Sequence, residues 1–499
     1  MSLKRKIASK FIIVALVLSM LLQTVAVADT VPYVTYNFDY WEDVVYTPAA
    51  YVPDGSISSK SLNLDKELGT IYDIYVEPTT RLIYICDYSN SQIVVVNGVD
   101  YSWVATIKEF FNSETGMMDT FNHPQGVFAT ENGMLYVCDT DNQRVCYFTL
   151  HEDNTFEYTG HLDRSMIVSD ILAENYVFKP MKICVDSAER LYIINLNEFQ
   201  GILQLEKDGT FNGYFGTITV TVSFWDKIWR TISTKAQKEK STMYIPTEYT
   251  GIDLDDDGFL YASYLDQTGT QAVMRLNSKG GDVIRKGANQ NVAGDIVGVS
   301  MALNQYCGNN RINDVVYNGD GMYSLLDNLR GRIFTYDAEG NLLYIYGGIG
   351  NQDGTFSAAR AIETNGDQRL VCDINRNEVY IFSPTEYGTL INEAVACRYD
   401  GDESLAVEKW AQVLVLNENF EQAYIGIGKA YLNSGEYETA MDYLSLGMSR
   451  SYYSIAYKRY RNNVLKENFN LIFGGILVLL VGFLSYRVYK KAKNRKYDD

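Results

Sequence analysis

Between Phe121 and Val145 the chain reads His123-Pro124-Gln125-Gly126-Val127, then Gly133-Met134-Leu135-Tyr136-Val137-Cys138-Asp139, then Asn142-Gln143-Arg144-Val145, and looser copies of this phrase recur along most of its length. In each copy an apolar strand starts after a Pro or Gly, a Gly-bearing turn follows, and a second apolar strand ends in Asp before a polar turn and a third strand. The other second strands are 83–87, 191–195, 322–327 and 370–373, with a degenerate copy at 259–264. Their closing residues, Asp87, Asp139, Asn195, Tyr264, Asp327 and Asp373, lie 46 to 69 residues apart. Such steps suit four-stranded blades of roughly 40 to 50 residues with insertions. The expectation is a mainly β chain with a β-propeller of about six blades, whose faces and channel are where function belongs.

The tightest copy resembles the NHL repeat. That pattern opens apolar-Pro-x-Gly-apolar and continues Gly-x-Leu-Tyr-Val-x-Asp-x-x-Asn-x-Arg-Val, as residues 121–145 do. After the last blade the apolar period changes from two to about 3.6. Ala423-Tyr424, Ile427-Gly428, Ala430-Tyr431, Gly435, Tyr437, Ala440, Tyr443-Leu444 and Gly447 resemble a tetratricopeptide repeat, two antiparallel helices with small residues at their contact. Residues 390–399 and 403–416 can form another helical pair, and 452–469 a further helix towards the C-terminus. About two repeats is fewer than the three a free-standing solenoid needs. A stalk packed on the propeller and a peptide-binding groove are both open readings.

The two ends suggest where the chain sits. Lys4, Arg5, Lys6 and Lys10 precede an apolar run and an Ala26-Val27-Ala28 close, the pattern of a secretory signal peptide. Residues 471–486 carry no charge and are followed by Arg487, Lys490, Lys491, Lys493, Arg495 and Lys496. That is a transmembrane helix with a basic tail on the cytoplasmic side. The formal charge of −19, with +4 in the first 28 residues and +4 in the last 13, leaves −27 between them. An ectodomain of that charge disfavours nucleic acid. Seven cysteines include Cys86, Cys138 and Cys372 at equivalent strand positions and Cys184 in another strand, so they read as buried thiols rather than a disulfide framework.

Between the third and fourth blades, Phe224, Trp225, Ile228, Trp229 and Ile232 recur at helical spacing, opposite Lys227, Arg230, Lys235, Lys238 and Lys240. A basic amphipathic helix there would serve as a partner or membrane contact, or pack on the propeller's flank.

Six-bladed propellers include gluconolactonase-like hydrolases, whose acidic and amide side chains converge on a metal in the channel. Aligning the blades on Gly126 puts Asp73, Lys182, Gly251, Asp314 and either Arg360 or Ala361 at the start of each innermost strand. Asp73, Lys182, Asp314 and Arg360 are therefore the candidate ligand-binding residues at the channel mouth. The ring is mixed in sign, which suits a hard cation poorly, and the Glu-Gly-Pro opening of that family is absent near Asp73. With only His123, His151 and His161, a histidine-based site is disfavoured, and no catalytic residue, metal or cofactor is assigned. Asp253-x-Asp255-x-Asp257-Gly258 resembles half of an EF-hand loop but reads as a hairpin turn, because its twelfth position is Tyr264. Among forty tyrosines, Tyr72, Tyr88, Tyr249 and Tyr306 are placed to face a glycan, although tyrosine is also ordinary strand chemistry.

The predicted organisation is a signal peptide 1–28 and an N-terminal segment 29–68 that is a candidate for closing the ring. A propeller 69–386 with the insertion 217–243 follows, then a helical domain 387–469, a transmembrane helix 470–486 and a cytoplasmic tail 487–499. In architecture, residues 69–469 resemble Gram-positive bacterial surface proteins associated with carbohydrate uptake. That resemblance implies a binding or scaffold protein outside the cytoplasmic membrane, with a transporter, envelope protein or glycan as partner. The alternative is a metal-dependent gluconolactonase-like hydrolase.

Overall fold

The fold was analysed in a computed structural model, which describes residues 31–173, 175–217, 248–265, 272–286, 292–296 and 310–495. The signal peptide and the Phe224, Trp225, Ile228 and Trp229 insertion lie outside the described residues, as do Tyr306 and Cys307.

Six antiparallel sheets follow one another along the chain. The innermost strands of blades one to six are Ile71–Val76, Gly126–Ala129, Pro180–Val185, Tyr249–Leu254, Ile312–Gly319 and Ala359–Asn365. Each adjoins the next, and the sixth returns to the first, closing a six-bladed propeller. Blade four has three strands among the described residues and the others four. The outer strand of blade six is Tyr51–Ile57 from the N-terminal segment, paired antiparallel with Glu378–Pro384. Completing blade six with a strand from the opposite end of the chain covers the edge that Glu378–Pro384 would otherwise expose and fastens the start of the ring to its end.

The Asp that ends each second strand has a structural role that explains its recurrence. Asp139 is fully buried; it accepts from Asn122 N at 2.7 Å, Asn142 Nδ2 at 2.9 Å and Arg144 Nε at 2.8 Å. One carboxylate thus ties the loop before the inner strand to the turn after the second strand. Asp87, Asp327 and Asp373 accept from Gly69, Arg311 and Ser357 N–H in the same way. Asn195 substitutes in blade three, accepting from Lys179 N. Blade four has Tyr264 here, so no carboxylate makes this tie, which accounts for its weak sequence signal.

Six helices follow the propeller: α1 Glu386–Tyr399, α2 Glu403–Leu416, α3 Glu421–Ser434, α4 Tyr437–Leu446, α5 Arg450–Glu467 and α6 Phe469–Arg495. Thr385 caps α1 by accepting from Gly388 N, while its own hydroxyl donates to Ala49 O. Tyr51, Tyr344 and Tyr346 share one apolar core with Tyr387, Leu390, Ile391, Trp410 and Phe420, so α1 to α3 pack directly on blades five and six. Glu339, on a turn of blade five, receives Arg398 of α1, Lys429 of α3 and Tyr452 of α5. Burial raises the Glu339 pKa, but the two cations outweigh that effect and hold it below the usual carboxylate value. Within α6, Phe469–Lys491 is 23 residues long and apolar enough to cross a membrane, with a mean hydropathy of 2.1 over its most apolar 18 residues. That extends the 16 uncharged residues of the sequence reading into the ordinary span length.

Candidate functional site at the channel

Strand register fixes which residue of each blade reaches the axis at the level of Gly126. Gly126 pairs with Cys138, Asp73 with Cys86, Lys182 with Ile194, Gly251 with Ser263 and Asp314 with Leu326. In blade six Ala359 pairs with Asp373 and Ile362 with Val371. Ala361 therefore completes the ring, and Arg360 lies one residue nearer the mouth. The ring alternates around the axis: Asp73, Gly126, Lys182, Gly251, Asp314, Ala361.

The three charged members converge. Lys182 Nζ lies 2.8 Å from Asp73 Oδ1 and 2.9 Å from both oxygens of Asp314. The remaining Asp73 oxygen accepts from Val127 N at 3.2 Å, and Asp314 Oδ2 also accepts from Ile362 N at 3.0 Å. Each carboxylate thereby bonds to the blade beyond its own. Burial opposes the Lys182 charge, but Asp314 and Asp73 outweigh it and hold the ammonium above the usual lysine range. Burial raises Asp314 above the ordinary carboxylate range despite Lys182. The small residues are sterically required here. A Cβ on Gly126 would lie 2.5 Å from Met181 O, and one on Gly251 would lie 2.2 Å from Asp314 Oδ1. Together these side chains plug the channel.

Two residues further along the inner strands, Tyr75, Phe128, Cys184, Asp253, Val316 and Glu363 form the next level. The Tyr75 and Phe128 rings are 4.5 Å apart. Burial pushes Asp253 up to about 7, helped by Asp314 and opposed by hydrogen bonds from Tyr317 N and Leu254 N. Glu363 is raised by burial and then by Asp253. No motif marks this level in the sequence, although counting two residues on from the ring reaches each member, because side chains alternate along a strand.

Several expected roles change in place or kind. Asp255, not Asp253, forms the hairpin turn: it accepts from Asp257 and Phe259 N–H and pairs with Arg275 at 2.5 Å, while Asp253 faces the channel. Tyr249 is buried and its hydroxyl donates to Gly216 O, so it faces no glycan. The six described cysteines are free, and Cys86, Cys138, Cys146, Cys184 and Cys372 are buried. Among the described residues no group of three or more His, Cys, Asp and Glu side chains is arranged to hold a metal ion.

Fold and ring together define a six-bladed propeller with a plugged channel, a packed C-terminal helical region and one apolar C-terminal helix. No protein-family model matches the chain, and no curated protein matches its sequence. Among solved structures it is similar to a catalytically inactive variant of virginiamycin B lyase from Staphylococcus aureus, at 11% identity and TM-score 0.40, covering 67% of this chain and 100% of that one. A gluconolactonase from Xanthomonas campestris shares 9% identity at TM-score 0.40, over 72% of this chain and 96% of that one. An aldose sugar dehydrogenase from Streptomyces coelicolor shares 11% identity at TM-score 0.36, over 67% and 97% respectively. These likenesses concern the propeller fold and say nothing of activity.

Proposed function

We propose that this is a single-pass binding and scaffold protein outside a bacterial cytoplasmic membrane, anchored by α6 with its basic tail in the cytoplasm. The propeller mouth would take a ligand, and the NHL-like blades and tetratricopeptide-like helices would hold that mouth at a fixed place near a carbohydrate uptake system. The observation that carries this reading is the plug. Lys182 engages Asp73 and Asp314 within 2.9 Å, so the channel is a cup with a floor rather than an open acidic shaft. A lactonase reading requires both carboxylates to leave Lys182 for a metal, at the cost of an unpaired buried ammonium. The Phe224, Trp225, Ile228 and Trp229 insertion is the proposed contact with the protein partner or the membrane.

Crosslinking in intact membranes, followed by mass spectrometry, tests the scaffold role by comparing wild type with a Trp225→Ala, Trp229→Ala double variant. The expected result is one transporter or envelope protein trapped by wild type and lost in the variant. A wild-type protein that traps no partner overturns the scaffold role.

A further inference from the structure

One half of the channel mouth is lined by a stacked row of side chains from neighbouring blades. Arg360 of blade six lies over the Tyr72 ring of blade one, 4.8 Å from its centroid. Tyr72 stacks on Tyr88 at 4.3 Å and 20°, and Tyr88 on His123 of blade two at 4.5 Å and 23°. His123 Nδ1 lies 2.8 Å from Asp141 Oδ2, and Asp141 Oδ1 accepts from Lys179 Nζ of blade three at 2.9 Å.

Within the row each inner ring face is covered by a neighbour, so the row offers its edges: guanidinium N–H groups and two phenol hydroxyls. All of these residues are half-buried. Among the described residues the Tyr72 and Tyr88 hydroxyls have no hydrogen-bond partner, and no carboxylate pairs with Arg360. The neighbouring cations differ in this respect, since Lys179 is held by Asp141 and Lys182 by Asp73 and Asp314. A stacked guanidinium without a counter-ion, in an ectodomain with a large acidic excess, is a pre-oriented fork for a carboxylate. Holding these blades together does not require the row, because other hydrogen bonds already join them: Arg81 of blade one donates to Asn365 of blade six, Val127 N of blade two to Asp73 of blade one, and Thr140 of blade two to Pro180 O of blade three. A rigid row of donors suits a ligand dense in oxygen acceptors. A peptide bound along its backbone or by an apolar helix face would instead need an open strand edge or an apolar groove.

We propose that this row binds a carboxylate-bearing saccharide, with Arg360 holding the carboxylate and the Tyr72 and Tyr88 hydroxyls bonding to sugar oxygens. The assignment rests on the mouth being the ligand face and adds the class of ligand. Calorimetric titration of the full-length protein in nanodiscs, with tri-galacturonate and with maltotriose, tests it. Binding of tri-galacturonate but not maltotriose is expected, weakened at least tenfold in Arg360→Gln and a few-fold in Tyr88→Phe, which keeps the ring and removes one hydroxyl. An unchanged melting temperature in both variants separates lost contact from lost fold. Equal binding of the two sugars, or acidic-sugar binding that Arg360→Gln leaves intact, overturns the acidic class while leaving the mouth as a ligand face. No binding of either sugar overturns the saccharide assignment, and the crosslinking result then decides the scaffold role on its own.

Discussion

Odd and even blades contribute opposite things to the channel. Blades one, three and five send Asp73, Lys182 and Asp314 to the axis, whereas blades two, four and six offer Gly126, Gly251 and Ala361. The difference teaches that six similar inner strands cannot all place long side chains at one level. Three meet only because the intervening three are small, and the space a Cβ would need is taken by Met181 O at Gly126 and by Asp314 at Gly251. The plug is therefore a property of the whole ring, and a change on either set should damage it by a different route.

The largest effect is expected where charge is removed from the odd set. Lys182→Met leaves Asp73 and Asp314 buried beside each other without their cation, and the loss should be about 3–5 kcal/mol. Chemical denaturation checks this. Adding Asp73→Asn and Asp314→Asn to the same chain should restore much of the loss, and failure to do so breaks the account of the odd blades as one charge network. A smaller steric effect is expected in the even set. Gly251→Ala drives a methyl against Asp314 Oδ1 and Ser263 Oγ, at about 2 kcal/mol. Lys182 should then become more accessible to amine-modifying reagents; an Ala variant as stable as wild type breaks the steric half of the comparison.

The smallest effect belongs to the level below the plug and has the opposite sign. Burial raises Asp253 from its ordinary 3.8 to about 7. A carboxyl raised in the folded state contributes stability that is complete below about 4 and is lost as pH rises through about 7. Asp253→Asn removes that loss. The variant should be more stable than wild type by about 1 kcal/mol or more at pH 8, with a flatter pH dependence between 4 and 7. Melting temperatures across that range read the effect, and identical profiles would show that Asp253 is not strained by its position.

Much of the fold was legible because its signals are local. Strand alternation, the closing Asp and the turn glycines identified five blades and the degenerate fourth, since each blade's pattern is written within about 50 residues. The three charged ring members were also legible from alignment on Gly126. The choice between Arg360 and Ala361 was not, because the register of blade six shifts between Ala359 and Ile362. Asp253 was hidden by its place in an acidic run whose later members form a turn. Tyr249 resembled a surface aromatic until packing buried it against the Gly216 loop.

By itself the sequence determined the blade count, the shift from β to helical periodicity after the last blade, and an apolar C-terminal segment of spanning length, because these depend on period and composition along the chain. Only the tertiary structure decided that Tyr51–Ile57 completes blade six, that the helices share a core with blades five and six, and that Lys182 closes the channel between Asp73 and Asp314. It also brought Arg360, Tyr72, Tyr88 and His123 into one row. Those pairings join residues tens to hundreds of positions apart, and only closure of the ring brings them within a few ångströms.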